Sequence, residues 1–314
     1  MKQASNTILM IRPVAFRMNE QTAVNNYYQK VLDNVLPATV QNKAKEEFDN
    51  FVVKLRSVGV NVVVVEDTIE PNTPDSIFPN NWVSFHQNGN VGLYPMFAEN
   101  RRLERREDIF DILEDKGFVI NNFMDYTSAE DDGLYLEGTG SLVLDRVHKK
   151  AYCALSPRAD EDLIIEFCED FEYTPVIFST YQTVNNERLK IYHTNVMMCV
   201  APNFVVVCLS SIDDKKERKN LKKHLKEDGK VIIDITEVQV NNFAGNMLSV
   251  YGENGKEYIV MSESAYKSLT KNQIATLEKY ATILYSNVDT IEACGGGSAR
   301  CMMAEVFLPK NNIN

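Results

Sequence analysis

The residues best suited to chemistry in this chain are a thiol, an imidazole and a carboxylate far apart in sequence. Cys301 follows Gly295-Gly296-Gly297-Ser298-Ala299-Arg300, and a glycine run lets the backbone turn tightly and approach a ligand with no Cβ in the way. A cysteine behind such a turn is presented toward a site, whereas a lone cysteine is by default a small buried hydrophobe. His193, in Ile191-Tyr192-His193-Thr194-Asn195-Val196, and Glu137, in Leu136-Glu137-Gly138-Thr139-Gly140, supply a base and an acid to orient it. Together they make a covalent catalyst, because a thiol attacks well only after a base or nearby cation raises its thiolate fraction. Of four histidines, His148 beside Lys149-Lys150 and His224 in a basic run read as exposed, which leaves His86 as the rival base. Glu130-Asp131-Asp132 reads as loop solvation.

These groups need elements that bring them together. Strand patterns fall at Ile8 to Ile11, Asn61 to Val65, Trp82 to Phe85, Val91 to Tyr94, Ser141 to Leu144, Ala151 to Ala154 and Pro175 to Phe178. Others fall at Val196 to Val200, Phe204 to Leu209, Val231 to Ile235, Met247 to Tyr251, Glu257 to Met261 and Thr282 to Tyr285. Helical spacing marks Val40 to Val58, Leu103 to Lys116, Asp160 to Phe171, Lys215 to Glu227 and Lys271 to Tyr280. Asp160 and Thr270 read as N-caps; Gly59, Gly117 and Gly229 sit where helix C-caps are expected. In order, these elements repeat one unit of strand, turn, strand, helix and strand, at about 82–122, 140–179, 196–234 and 247–286. A fifth copy is split, with Met302 to Leu308 completing elements from residues 6–66. Just before each unit's first strand stand Asn81, Glu137, His193, Asn246 and Cys301, separated by 56, 56, 53 and 55 residues. Five units around a pseudo-symmetry axis would carry all five residues to one end of it.

Composition sets the outer bounds. The chain has 314 residues, 44% hydrophobic and 25% charged, enough for a large core, and is read as one domain over 1–314. A net charge of −11 argues against a nucleic-acid surface. The basic stretch Lys215 to Lys223 interleaves acids and reads as a solvated helix face. No apolar run reaches the ~18–20 residues that span a bilayer. The apolar stretch stopped by Arg12-Pro13 is too short for a signal peptide and reads as a first strand. Six cysteines without a CxxC read as free thiols in a reducing compartment, hence a cytoplasmic protein, with Cys153, Cys168, Cys199 and Cys208 packed in the core. Neither metal-ligand spacing nor a Walker pattern is present, so no metal is expected. The oligomeric state is open, a homodimer included.

At this point the sequence resembles the pentein superfamily of guanidino-group-modifying enzymes, over nearly the whole chain. Asp75-Ser76-Ile77-Phe78-Pro79-Asn80-Asn81 resembles its substrate-binding segment, Leu136-Glu137-Gly138 its catalytic-Glu turn, His193 its catalytic His, and Gly295 through Cys301 its nucleophile loop. Leu155-Ser156-Pro157-Arg158 and Arg101-Arg102-Leu103-Glu104 resemble segments whose arginine binds the substrate carboxylate, with Arg158 and Arg101 the matching residues. The resemblance implies an α/β five-bladed propeller with a closed axial site, no cofactor and a small amino-acid substrate. It also implies Cys301 as nucleophile, His193 as acid and base, Glu137 as orienter and Asp75 as a site for the α-ammonium.

Two positions depart from the pattern. Arginine deiminases carry Asp at the positions of Asn81 and Asn195; here both are amides. Hydrogen bonds to charged groups contribute ~1.5–3 kcal/mol against ~0.5–1.5 kcal/mol for neutral ones, so the exchange weakens the case for a cationic headgroup. A neutral ureido group, as in citrulline, is the better match, and the sequence most resembles the branch of citrulline-utilisation hydrolases, dimethylarginine dimethylaminohydrolases and arginine deiminase-related enzymes. The expected reaction is hydrolysis of a terminal C–N bond. Amidino transfer or an arginine- or dimethylarginine-type hydrolysis are the alternatives, and a non-catalytic binding propeller is the reading from another class.

Overall fold

The computed structural model describes residues 2–30 and 36–311, and its strands follow the β-branched runs. They are β1 (Thr7–Arg12), β2 (Asn61–Glu66), β3 (Val83–Phe85), β4 (Asn90–Leu93), β5 (Asn122–Asp125) and β6 (Leu142–Asp145). Next come β7 (Lys150–Leu155), β8 (Thr174–Ser179), β9 (Tyr181–Val184), β10 (Glu187–Lys190), β11 (Met198–Val200) and β12 (Phe204–Val207). The last are β13 (Val231–Asp234), β14 (Leu248–Tyr251), β15 (Glu257–Ser262), β16 (Thr282–Ser286) and β17 (Ala304–Glu305).

Among the described residues they form five three-stranded sheets of one topology, plus the hairpin β9–β10. In the sheets β3-β4-β5, β6-β7-β8, β11-β12-β13 and β14-β15-β16, the first strand is antiparallel to the second and the second parallel to the third. The fifth sheet, β17-β1-β2, follows the same rule, although β17 comes from the far end of the chain. A parallel pair needs a crossover, and a helix supplies it each time. The main crossover helices are Pro37–Ser57, Asp108–Asp115, Glu161–Asp170, Lys215–Glu227 and Lys271–Leu277.

The longest crossover helix buries one apolar stripe. In Pro37–Ser57 the buried residues Val40, Ala44, Phe48, Phe51, Val52 and Leu55 recur at three- and four-residue steps. Lys215–Glu227 buries only Leu221 and Leu225 and turns its basic face to water, capped by Asp214 at the amides of Lys216 and Glu217. Asp160 and Thr270 are N-caps as expected. All six cysteines are free thiols and buried. Among the described residues no helix is long and apolar enough to cross a membrane.

Several expectations shift. The helix expected over Leu103 to Lys116 is shorter, Asp108–Asp115, with a separate turn at Glu99–Arg102. The C-terminal strand is only Ala304–Glu305. β5 was not anticipated because its side chains are largely exposed and carry no alternation. The hairpin β9–β10 turns on Asn185 and Asn186, both at positive φ (50° and 66°), a turn chemistry that asparagine tolerates. The rival base His86 bonds Ser84 Oγ at 2.8 Å and stacks on Phe171 at 4.0 Å, a packed structural imidazole.

Candidate active site

The five spaced residues occupy equivalent places, each at the turn that leads into the first strand of a sheet. Asn81 ends a 3-10 turn, Pro79–Asn81, before β3. Glu137 and His193 are the N-caps of single helical turns, Gly138–Ser141 and Thr194–Met197, that run into β6 and β11. Asn246 and Cys301 sit in the turns before β14 and β17. The one-turn helix at Thr194–Met197 is why β11 begins at Met198 rather than Val196.

Close packing of these turns depends on glycine at two points. A Cβ on Gly140 would lie 2.8 Å from the His193 ring and closer still to the Asn81 side chain. Gly296, at φ +61°, gives the nucleophile loop a left-handed turn that other residues rarely adopt. Its carbonyl accepts a 2.6 Å bond from Tyr192 Oη, and Ser298 Oγ bonds the buried Glu292.

The site is sealed. Glu137 is 0% exposed, and His193 and Cys301 are each 2% exposed. Glu137 Oε1 accepts from the Phe97 amide at 3.1 Å, and Oε2 pairs with His193 Nε2 at 2.7 Å. Arg158 Nη1 lies 3.4 Å and Arg101 Nη1 3.8 Å from the same Oε2. Burial works to raise the Glu137 carboxyl, but Arg158, His193 and Arg101 outweigh it and hold the group well below the usual carboxylate range. Burial, reinforced by the two arginines and opposed by Glu137, lowers His193 to about 4. The imidazole is therefore neutral near pH 7; Nε2–H donates to Glu137, and Nδ1 keeps a lone pair for a proton.

Cys301 has different neighbours. Asn246 Nδ2 lies 3.2 Å and Asn195 Nδ2 3.6 Å from its sulfur. Among the described residues no side-chain hydrogen bond joins Cys301 to His193; Asn195 also reaches Thr139 O at 3.5 Å. The structure thus builds two halves, Glu137–His193 and Asn195–Cys301–Asn246.

The two arginines are engaged internally. Arg101 spends its Nε and Nη2 on Glu104, both at 2.9 Å, and Nη1 on Asn81 Oδ1 at 2.8 Å, leaving no free fork for a carboxylate. Arg158 donates from Nε to Asn25 Oδ1 at 2.9 Å and from Nη2 to Thr22 O at 2.9 Å. Asp75 Oδ2 accepts from Asn19 Nδ2 at 2.8 Å and Thr22 Oγ1 at 3.1 Å. Its Oδ1 is buried with no partner among the described residues, and burial raises the carboxyl. Asn26 and Gln29 extend the cover by bonding the carbonyls of Gly295 and Gly296.

Sequence reasoning missed this cover, Asn19 to Lys30, although its signal was present: no strand or long helix pattern falls on residues 13–30, a length usually kept for function, and among them the structure describes only the helical turn Glu20–Ala23. It also gave no role to Tyr192, which flanks Arg158 at 4.8 Å.

Five like sheets and a buried acid–imidazole pair beside a glycine-delivered cysteine define a pentein. The chain belongs to the family of eukaryotic N,N dimethylarginine dimethylhydrolase, whose model matches residues 12–308. Its fold is similar to that of apo ArgZ, an arginine dihydrolase from the ornithine-ammonia cycle in cyanobacteria, with 17% identity and a TM-score of 0.72; the match covers 98% of this chain and 41% of that one. The N-terminal domain of ArgZ, solved as a variant covalently bound to a reaction intermediate, matches with 17% identity and a TM-score of 0.68 over 96% of this chain and 99% of that one. A dimethylarginine dimethylaminohydrolase variant in adduct with S-methyl-L-thiocitrulline matches with 13% identity and a TM-score of 0.62, over 95% and 98%. No curated protein matches in sequence.

Proposed function

We propose that this chain hydrolyses the terminal C–N bond of a ureido or guanidino α-amino acid through a covalent bond to Cys301, with a citrulline-like headgroup the best match. The observation that carries the reading is the charge at the headgroup positions. Glu137 is the one acid there beside the amides Asn81 and Asn195, and two arginines lie 3.4 and 3.8 Å from its Oε2. A cationic guanidinium gains less from such a pocket than a neutral ureido group does, because an amide offers both a donor and an acceptor.

The roles follow from the contacts. The partnerless Asp75 Oδ1 suits an α-ammonium, and Arg158, once it exchanges Asn25 and Thr22 O for substrate, suits the α-carboxylate. Arg101, tied to Glu104, holds Asn81 rather than the substrate. Neutral His193 takes the thiol proton through Nδ1, and the thiolate attacks the ureido carbon. The imidazolium, steadied by Glu137, protonates the terminal nitrogen, which departs as ammonia while the carbon, still bonded to the side-chain nitrogen, stays on sulfur as an S-alkylcarbamoyl enzyme. Water, deprotonated by His193, displaces the thiolate and releases an N-alkyl carbamate, which loses carbon dioxide to leave the side-chain amine. Movement of Arg158 toward the substrate carboxylate takes a cation away from His193 and makes the imidazole more basic when that is needed.

The like sheets, each placing one of these residues at the start of its first strand, support a five-bladed propeller in a single domain. Six free thiols support a reducing compartment. The family match and the arginine-handling neighbour favour a guanidino substrate as the second reading. An ammonia-release panel over citrulline, arginine, methylated arginines, N-succinylarginine and agmatine separates the two. Citrulline is expected to have the highest kcat/KM; a preference for cationic guanidines would overturn the ureido assignment.

A further inference from the structure

Asn246 is the only one of the five equivalent residues with no part in the chemistry above, yet its side chain is fully committed. It is wholly buried, and each of its polar positions has a partner. Oδ1 accepts from the amide of Arg300, the residue before the cysteine, at 3.0 Å. Nδ2 carries two hydrogens, one for Asn195 O at 3.0 Å and one for Cys301 Sγ at 3.2 Å.

The Arg300 amide can only donate and the Asn195 carbonyl can only accept, so the amide orientation is fixed by its surroundings and a flip would break both bonds. Nδ2–H therefore faces the sulfur, which must accept. We propose that Asn246 is a positioning residue that holds the Cys301 sulfur and, through Nδ2–H, stabilises the thiolate once the thiol proton has left, with Asn195 Nδ2 at 3.6 Å as a second donor. The inference rests on Cys301 being the nucleophile. One side chain grips the nucleophile twice, through the backbone that delivers it and through the sulfur that attacks. An amide does this better than an acid, because a carboxylate there would put negative charge against the thiolate.

Among the described residues no other side chain donates a hydrogen bond to the sulfur. Tyr192 is held as neutral phenol by burial. Arg300 sends its guanidinium to Met303 O at 2.8 Å and toward Glu305 at 3.5 Å. His193 and Glu137 are bonded to each other. Among the described residues the side-chain donors on the sulfur are the two amides, and the thiol in turn faces Asn195 Oδ1 at 3.8 Å.

The test is the thiolate absorbance near 240 nm of the intact protein titrated with pH, with Cys301→Ala as blank. Asn246→Asp keeps the acceptor for Arg300 N–H and replaces the donor with an acid, so the Cys301 titration midpoint should rise by about one to two pH units, and in Asn246→Ala by about one. A purely structural asparagine would lower thermal stability without moving the midpoint. Midpoints equal to wild type in folded variants would overturn the proposal. Should both variants unfold, the Asn246 side-chain amide is followed by NMR in the wild-type protein across the thiol titration. A resonance that moves with the thiol supports the contact, and one that ignores it sinks the proposal. The readout needs no turnover: if Cys301→Ala still released ammonia, the nucleophile reading would fall while the contact between Asn246 and the sulfur stayed testable.

Discussion

The floor of the site and the segment that covers it are both made of buried polar groups, yet their bonds differ in kind. On the floor, main-chain groups fix the side chains: Glu137 Oε1 takes the Phe97 amide, and Asn246 bridges the Arg300 amide and the Asn195 carbonyl. In the cover, side chains do most of the holding, and they hold groups that suit a substrate: Asn19 and Thr22 occupy Asp75, and Asn25 occupies Arg158. Floor bonds cannot open without stranding buried backbone donors. In the proposed reading the cover can yield to substrate, with an ammonium taking the partnerless Asp75 Oδ1 and a carboxylate replacing Asn25 at Arg158. On the proposed function, preorganisation lies below the substrate and exchange above it, as a sealed site needs if it is to exclude water during chemistry and still admit reactant.

The comparison breaks most visibly at Cys301. On the proposed mechanism Cys301→Ala removes the attacking atom from the floor, and with it the sulfur's contacts to Asn195 and Asn246. Ammonia release should fall by at least about 10⁴-fold. The thermal midpoint should stay within a few degrees of wild type. Turnover near the wild-type rate would show that the floor is not where the covalent step occurs.

Glu137→Gln comes next. The variant keeps the shape and loses the charge that faces His193, Arg158 and Arg101. Turnover should drop by about 10²- to 10⁴-fold, the usual worth of oriented acid–base catalysis. Stability should fall by about 3–5 kcal/mol, because two buried arginines lose an anion; denaturant titration reads it. In the wild-type protein His193, lowered to about 4 from an ordinary 6.5, is neutral above pH 4. The acid limb of kcat/KM should therefore fall near pH 4. Between pH 6.5 and 4 the unfolded chain binds this proton first, so the His193 contribution to stability declines as pH is lowered through that window. An acid limb near 6.5 would mean that His193 is not buried as a neutral base.

Much of the floor was legible in sequence because it repeats. Spacing near 55 residues placed Asn81, Glu137, His193, Asn246 and Cys301 at one structural position, and the β-branched runs marked most of the strands. The contacts between those residues were not legible. Nothing in the sequence says that Asn195 and Asn246 reach the sulfur while His193 bonds Glu137, since those distances depend on how separate sheets pack. Arg101 shows the same limit. Its motif suggested a carboxylate clamp, and the sequence did not show that its guanidinium is paired with Glu104, one helical turn on at i,i+3. The cover escaped because Asn19, Thr22 and Asn25 carry no apolar period and acquire meaning only through Asp75 and Arg158.

The smallest expected effect belongs to the cover. Asn25→Ala removes the side-chain acceptor for Arg158 Nε and leaves the Thr22 O contact in place. A hydrogen bond to a charged group is worth about 1.5–3 kcal/mol, so opening should become about tenfold easier once other contacts share the load. KM should then fall by about three- to tenfold, because the substrate carboxylate no longer competes with Asn25 for the guanidinium. Alkylation of Cys301 by iodoacetamide should quicken by about tenfold, while kcat stays within about twofold. Steady-state kinetics and peptide mass spectrometry read the two effects separately. A fall in kcat with KM and alkylation unchanged would place Asn25 with the floor, and the division between fixed and exchangeable bonds would have to be redrawn around Arg158.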